Sequence, residues 1–343
     1  MKVLFGTFSA ATVLGGGVMV QVNSLHRELR KLGVDAELFD PWKQYRLSDY
    51  ALFHLFGAHV GTYHLGRAMD SLGMKLVLSP VFFSRHGASR VAAAVAVAKR
   101  LRKRGGFWTE HMFAKELCDM AKLVLPNTEA EADLVANAFG VPWAKLGILP
   151  NGVDERFAQA TPDAFVAKYG LRDFILYAGH VGWGRKNVLP LLEVCRKLDT
   201  KVVLIGEVID NDYGRKCMDI VKASSNMLHI PPLEPESELL SSAYAACDTL
   251  VLPAFYETPG LAALEAGLAG AKVCITKYGG TTEYFGEHAT YLDPGSNQSI
   301  ESALRASLAK PRSPELSAHI RAKYLWGEAA KTLAAAYEKM LAG

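Results

Sequence analysis

A chain of 343 residues exceeds one ordinary hydrophobic core and fits two domains of about 150 residues each. Half of the residues are apolar and 21% are charged, which excludes a disordered or fibrous chain, and no run of about 18 uncharged apolar residues suggests a transmembrane helix. The net charge of +3 conceals an asymmetry: residues 1–150 hold 18 Lys/Arg against 12 Asp/Glu, and the remainder 20 against 23.

In chain order, residues 2–6 read as a buried strand running into the loop Gly15-Gly16-Gly17. With no long apolar stretch and no small-residue cleavage site, this start reads as a strand, not a signal peptide. Val18, Val22, Leu25, Leu29 and Leu32 recur at helical spacing, and Gly33 stops the helix. Strand 34–39, strand 50–56, helix 62–72, strand 75–78, one long helical stretch over about 88–122, strand 123–126, helix 129–139 and strand 145–149 follow. The pattern restarts with strand 174–178, helix 188–198, strand 201–205, helix 218–223, strand 227–230 and helix 236–247. Strand 249–252, helix 261–269, strands 273–275 and 290–292, and helices 298–309 and 315–341 complete it. Such alternation means βαβ units and parallel sheets covered on both faces. The predicted class is α/β: two Rossmann-like doubly wound domains in series, joined near Pro150-Asn151-Gly152-Val153-Asp154, with a cleft between them. Ligands of such sheets bind beyond the carboxyl ends of the strands.

The five cysteines (118, 195, 217, 247 and 274) show no CxxC spacing and no nearby His pair. That scatter predicts reduced structural thiols in a cytoplasmic protein, not a disulfide framework or a zinc site.

Three constellations carry chemistry. The first is Phe255-Tyr256-Glu257-Thr258-Pro259-Gly260-Leu261-Ala262-Ala263-Leu264-Glu265, between a strand and a helix. Thr258 or Gly260 suits the N-cap, Pro259 the first helical turn, and backbone amides at 259–261 an anion site reinforced by the helix dipole. Eight residues at ~1.5 Å each separate the two carboxylates by at most about 12 Å. That matches the sugar–diphosphate–ribose span of a nucleotide sugar; the alternative is two surface glutamates around an ordinary helix. The second is Gly179-His180-Val181-Gly182-Trp183-Gly184-Arg185-Lys186-Asn187, between a strand and a helix. Two cations are unfavourable at a helix start unless they neutralise an anion such as a diphosphate; the alternative is an exposed basic turn. The third is Gly15-Gly16-Gly17, whose backbone suits either close approach to a diphosphate or a flexible turn.

With these motifs the chain resembles the retaining glycosyltransferases of family 4, glycogen-synthase-like glycosyl transferases group 1 with the GT-B fold. The matching pieces are GGGVMVQVNSLHRELRKLG, LPNTEAE at 125–131, ILPNGVDERF at 148–157, RKN at 185–187, LPAFYETPGLAALEAGLAGAKV at 252–273, KYGGTTEYF at 277–285 and YLDPGS at 291–296. The resemblance implies an acceptor-binding domain at 1–153, joined by a helix of about 325–343 crossing back, and a donor-binding domain at 154–324. It implies that Glu257 holds the donor sugar and Glu265 the ribose, while Thr258, Pro259, Gly260 and Leu261 present backbone amides. Lys186 with Arg185 would stabilise the diphosphate leaving group, with Gly179 and His180 beside it and Gly16 approaching from the other domain. Pro231, Pro232 and Leu233 fall where the family cups the nucleobase.

Two positions depart from the family. His180 stands where many members have Arg after the glycine, and the family's frequent His after the fourth strand is replaced by Ser79-Pro80-Val81-Phe82-Phe83-Ser84-Arg85-His86. His86, displaced, and His54 on the preceding strand are the candidates for that catalytic role. Asp210-Asn211-Asp212 resembles the metal-holding motif of the other major glycosyltransferase fold but reads here as a turn.

The implied activity is transfer of a hexosyl group from a UDP- or GDP-sugar to a hydroxyl of a glycan or lipid-linked glycan, with configuration retained, in cell-envelope polysaccharide or glycoconjugate synthesis. No cofactor, metal or nucleic acid is called for. The rival readings are a sugar epimerase or phosphorylase on the same fold, and a non-catalytic nucleotide-sugar-binding protein. The stretch 88–117 joins an Ala/Val run to the cations of 99–104 and to Phe107, Trp108 and Phe113, so it suits either peripheral contact with an anionic membrane at its inner face or a core helix.

Overall fold

The computed structural model describes all residues except Arg85 and Phe107, and the side chains of Leu14, Lys103 and Arg104. The Arg85 of the displaced-histidine segment and the Phe107, Lys103 and Arg104 of the membrane-contact reading therefore lie, wholly or by side chain, outside the described residues. The chain divides into one unit of Met1–Gly152 with Trp326–Gly343, and a second of Val153–Leu325.

In the first unit, strands β1 (Lys2–Gly6), β2 (Asp35–Leu38), β3 (Leu52–Phe56), β4 (Leu76–Ser79) and β5 (Leu123–Val124) form a parallel sheet in the order β2-β1-β3-β4-β5. Every residue of β3 and β4 is buried, which is why these segments read as unbroken apolar runs. The helix Gly17–Lys31 starts at Gly16 (φ 96°) and buries Val22, Leu25 and Leu29 at helical spacing. The expected long helix over 88–122 is two helices, Ala88–Gly105 and Glu110–Met120. Gly106 takes a left-handed conformation (φ 71°) and ends the first, and Thr109 is extended before the second. The expected strand at 145–149 is reduced to one bridge, Val124 with Leu146, after a 3-10 turn.

The last helix, Trp326–Ala342, packs on helix Gly17–Lys31. Trp326, Leu333 and Tyr337 are buried, each such side chain contributing ~1.5–3 kcal/mol. A Cβ on Gly152 would fall 2.6 Å from the Trp326 backbone nitrogen, so the glycine of the Pro-Asn-Gly-Val-Asp stretch is required where the returning chain passes.

The second unit holds a six-stranded parallel sheet: β6 (Ile175–Ala178), β7 (Val202–Ile205), β8 (Met227–Ile230), β9 (Thr249–Leu252), β10 (Lys272–Thr276) and β11 (Thr290–Leu292). The order is β11-β10-β9-β6-β7-β8, so the direction of winding reverses between β6 and β9. Such a reversal leaves a crevice at the carboxyl ends of the two strands. The expected terminal helix 315–341 is also two helices, divided at Tyr324 and Leu325, which fall at the boundary between units. All five cysteines are buried and unpaired, and burial pushes their thiols up to about 12.

Candidate functional site

The carboxyl ends of β6 and β9 bring together the two constellations that were 71 positions apart. After β6 the chain makes a 3-10 turn, Gly184–Lys186, and Asn187 in a left-handed conformation (φ 56°) then opens the helix Val188–Cys195. Asn187 is buried and donates from Nδ2 to the Pro294 carbonyl at 2.8 Å, which anchors the turn. After β9, the loop through Phe255 and Glu257 lies alongside it: the Phe255 amide donates to the Arg185 carbonyl at 2.9 Å.

Side chains close the junction. Lys186 Nζ lies 2.6 Å from Glu257 Oε1, and Glu257 is only 7% exposed. Arg185 donates to the Tyr256 carbonyl at 3.0 Å, stands over the Tyr256 ring, and reaches to 4.0 Å from the same Glu257 oxygen. Two cations thus converge on one buried carboxylate, so the exposed-basic-turn alternative does not describe this loop. The Glu257 backbone is held from the other side. Its amide donates to the Tyr278 carbonyl at 3.1 Å, and its carbonyl accepts from the Gly280 amide at 3.0 Å. Gly279, between them, has φ 95°, and a Cβ there would sit 2.1 Å from the Glu257 carbonyl oxygen. Glycine at 279 is therefore a steric requirement of the Glu257 clamp.

The helix after this loop is Leu261–Leu268, with Gly260 as N-cap at φ 86°. Pro259 lies outside the helix, joined to Thr258 by a cis peptide, which corrects its placement in the first turn. Having no N–H, Pro259 also offers no amide to an anion. The Gly260 carbonyl is taken by the amides of Ala263 and Leu264. The amides of Gly260 and Leu261 precede these, at the positive end of the helix. Half of the eight steps between Glu257 and Glu265 are non-helical, so a uniform helical rise does not measure their separation.

Glu265, half-buried in the second turn, accepts from the Tyr244 hydroxyl at 2.8 Å. Burial raises the Glu265 carboxyl above the ordinary range; the Tyr244 hydrogen bond and Arg156 oppose the shift, and Asp154 adds to it. Beside this helix lies a cavity of about 280 Å³ whose walls include Gly179, His180, Pro232, Leu233, Tyr244 and Ala262. His180 is stacked on Trp183 at 4.6 Å between ring centroids, and its Nε2 lies 3.6 Å from Glu207. Pro231 is exposed and not part of the lining.

Three candidates belong to the other unit. Gly16 is exposed at the start of its helix. His86 is exposed, its amide donating to Ser84 Oγ at 3.1 Å. His54 has no exposed surface; its ring nitrogens meet Tyr337 Oη at 2.5 Å and Ser79 Oγ at 3.0 Å, and burial lowers it to about 3. A neutral imidazole enclosed in this way joins the last helix to the sheet, and no catalytic role is assigned to it.

Asp210-Asn211-Asp212 is a helix start. Asn211 caps the helix Asp212–Lys222, accepting from the Gly214 amide at 2.8 Å, and Arg215 donates to both aspartates at 2.6 Å. Among the described residues, no group of three or more His, Cys, Asp and Glu side chains is arranged to hold a metal ion. Sequence reasoning missed Tyr244 and Glu207, and gave Trp183 no role of its own within the second constellation. Tyr244 sits in a helix at core spacing and Glu207 in a loop, so no local pattern marked them.

Residues 163–323 match the family model described as glycosyl transferases group 1. A D-inositol 3-phosphate glycosyltransferase of Pseudarthrobacter chlorophenolicus is 29% identical over 181 residues, covering 48% of this chain and 41% of its own. The chain therefore spans about half the length of the curated relatives it matches. Among solved structures, sucrose-phosphate synthase from Thermosynechococcus elongatus superposes with a TM-score of 0.76 at 16% identity, covering 100% of both chains. Anabaena HepE in complex with UDP-glucose superposes at 0.70 with 16% identity, covering 99% of this chain and 100% of its own. The fold is GT-B, with two Rossmann-like units in one chain.

Proposed function

We propose that this chain, whose residues 163–323 match the glycosyl transferases group 1 model, moves a sugar from a nucleotide-diphosphate sugar to a hydroxyl acceptor. The observation that carries this reading is the closure of Lys186 onto Glu257, with Arg185 beside them, at the β6–β9 reversal. A diphosphate entering there competes with Glu257 for the two cations and meets the amides of Gly260 and Leu261. Glu257, released from Lys186, then accepts from hydroxyls of the donor sugar. Glu265 accepts from the ribose, and the base lies against Pro232 and Leu233 in the cavity of about 280 Å³.

Cleavage of the bond to the anomeric carbon leaves negative charge on the nucleotide diphosphate. Lys186, Arg185 and the helix-terminal amides are placed to stabilise that charge as it develops. In this reading no divalent metal is required, and the leaving phosphate itself takes the acceptor proton in a same-face attack that retains configuration. Glu257 and Glu265 hold the donor and transfer no proton.

A UDP-sugar is the first donor to test, because the HepE structure that shares this fold contains UDP-glucose. For the acceptor we propose a glycan or lipid-linked glycan of the cell envelope, met by a cytoplasmic protein at the inner face of the membrane. The observation behind this is the outer face of helix Ala88–Gly105, where Arg90, Val97, Lys99, Arg100 and Leu101 are exposed together. Trp108 and Phe113 are not part of that face; they stack at 5.0 Å and pack against the core of their unit. No helix among the described residues is long and apolar enough to cross a membrane. Flotation with anionic vesicles at low salt tests the contact, and recovery of all protein in the unbound fraction removes it.

The activity is tested by a thermal-shift screen of UDP-, GDP- and ADP-sugars, followed by product analysis with the labelled donor that stabilises the fold. Free nucleotide and a new glycoside are expected. Sugar interconversion without acceptor, or binding without turnover that Glu257→Ala leaves unchanged, overturns the reading.

A further inference from the structure

Tyr244 is a core residue with a polar tip. It lies on the helix Glu238–Ala246, which Ser237 caps, and its ring packs edge-on against Phe157 at 5.7 Å between centroids. At 2% exposure the ring is enclosed, and a phenylalanine would fill the same volume. A buried tyrosine hydroxyl needs a partner, and this one has chosen a carboxylate on a neighbouring helix, Glu265 Oε2 at 2.8 Å. Hydrogen bonds to an ionised acceptor are about twice as strong as neutral ones, and they fix direction as well as distance.

The consequence falls on Glu265. A carboxylate has about four acceptor positions, and among the described residues Tyr244 is the one hydrogen-bond donor that reaches it. Charge from Arg156 and Asp154, on the segment ahead of the second unit's first helix, acts on it with opposite sign. Glu265 is half-buried, so Tyr244 leaves acceptor positions of the carboxylate open, and a vicinal diol supplies two hydroxyl donors that can fill them. Tyr244 and Ala262 both line the cavity of about 280 Å³, and Glu265 follows Ala262 by three residues on the same helix.

We propose that Tyr244 is a positioning residue for the donor nucleotide: its hydroxyl holds Glu265 Oε2, so that Oε1 is presented in one orientation to the ribose hydroxyls. The proposal rests on the donor-site reading above, in which Glu265 meets the ribose. The core thereby sets the orientation of a ligand-binding carboxylate, and discrimination in favour of a ribonucleotide passes through a residue that need not touch the ribose itself.

The test uses the full chain and titration calorimetry with UDP and GDP, each compared with its 2′,3′-dideoxy counterpart. Wild type should bind the hydroxyl-bearing diphosphate more tightly. Tyr244→Phe should weaken that binding by roughly tenfold, as expected for a lost hydrogen bond to a charged group. The dideoxy compound, which offers Glu265 no donor, should change by less than twofold. Glu265→Gln should show the same selective loss, and adding Tyr244→Phe to it should cost nothing further. Equal losses for the two ligands, or no loss, would overturn the positioning role and leave Tyr244 as packing. Wild type that binds neither diphosphate overturns the donor-site reading, and the positioning role with it.

Discussion

Lys186 Nζ and Glu257 Oε1 are 2.6 Å apart, joined across 71 positions by loops that leave two hydrogen-bonded strands, β6 and β9. The side chains are 18% and 8% exposed, so this is a largely desolvated ion pair, which the proposed function has a diphosphate open. Removing one partner of such a pair strands the other, at a cost of about 3–5 kcal/mol. Lys186→Ala should therefore lower stability by about that amount in denaturant titration. It should also lower kcat by about 10²–10³-fold, the range for loss of one group that stabilises transition-state charge. Lys186→Met combined with Glu257→Gln should recover most of the stability and none of the activity. Recovery of turnover in that double variant would mean that the pair is structural alone.

The Glu265 carboxyl makes a prediction of opposite kind. Its folded-state pKa is raised, chiefly by burial. The folded state therefore holds a proton that the unfolded chain gives up at lower pH, and the stability this group contributes is present below the unfolded value and lost as pH rises through the folded one. Glu265→Gln should leave the protein at least as stable as wild type at pH 7–8, with the gap in Tm narrowing towards pH 4. Nucleotide binding should fall in the same variant. A Tm below that of wild type at pH 8 would refute this account of the buried carboxylate.

Gly279→Ala should act on Glu257 without touching its side chain. The new Cβ would stand 2.1 Å from the Glu257 carbonyl oxygen, at φ 95°, so backbone must move. Strain of this kind costs about 1–3 kcal/mol. Gly270→Ala is the control, since Gly270 shares a positive φ of 91° with nothing within 4 Å of the added carbon. Both variants should lose stability, but only Gly279→Ala should also raise the donor KM, measured by steady-state kinetics.

His54 should contribute to the acid response of the first unit. Its folded value is about 3, against ~6.5 in an unfolded chain. Its contribution is therefore complete above about pH 6.5 and is lost as pH falls towards 3, at up to about 1.4 kcal/mol per pH unit. His54→Gln should flatten that slope in unfolding titrations from pH 3.5 to 7, whatever it costs at neutrality. Tyr337→Phe, which removes the 2.5 Å partner on the last helix, should cost about 1 kcal/mol and leave the donor affinity unchanged.

The aspartates at 210 and 212 should be dispensable for chemistry. Arg215 engages both, and Asn211 is spent on a helix cap. Asp210→Asn and Asp212→Asn should keep kcat within about twofold, because exposed ion pairs contribute ~0–1 kcal/mol. A chelator should have equally little effect on turnover. Activity that disappears with chelator and returns with Mg²⁺ or Mn²⁺ would require a metal in the mechanism.

Much of the fold was legible because each βα unit is written locally. The strands at 52–56 and 76–79 are buried on both faces and show as continuous apolar runs, and helix Gly17–Lys31 shows its spacing of Val22, Leu25 and Leu29. The breaks were less legible. Gly106 stands in a basic stretch that still suits a helix, and the division at Tyr324 and Leu325 follows from the chain's passage between units. The placement of Pro259 also failed, since a proline before a helix suits the first turn by propensity, whereas here a cis peptide and the Gly260 cap keep it outside.

For the site, residue types and spacing along the chain determined the candidates: two glutamates around a helix start, two cations before another, and glycines where backbone must pass closely. Only the tertiary structure decided that Lys186 and Arg185 converge on Glu257, that Glu265 leans on Tyr244, and that His54 belongs to the core. The physical reason is range. Helix and strand signals repeat every few residues, whereas these contacts depend on β9 lying beside β6, an order set by how the sheet buries its strands and recorded in no local period.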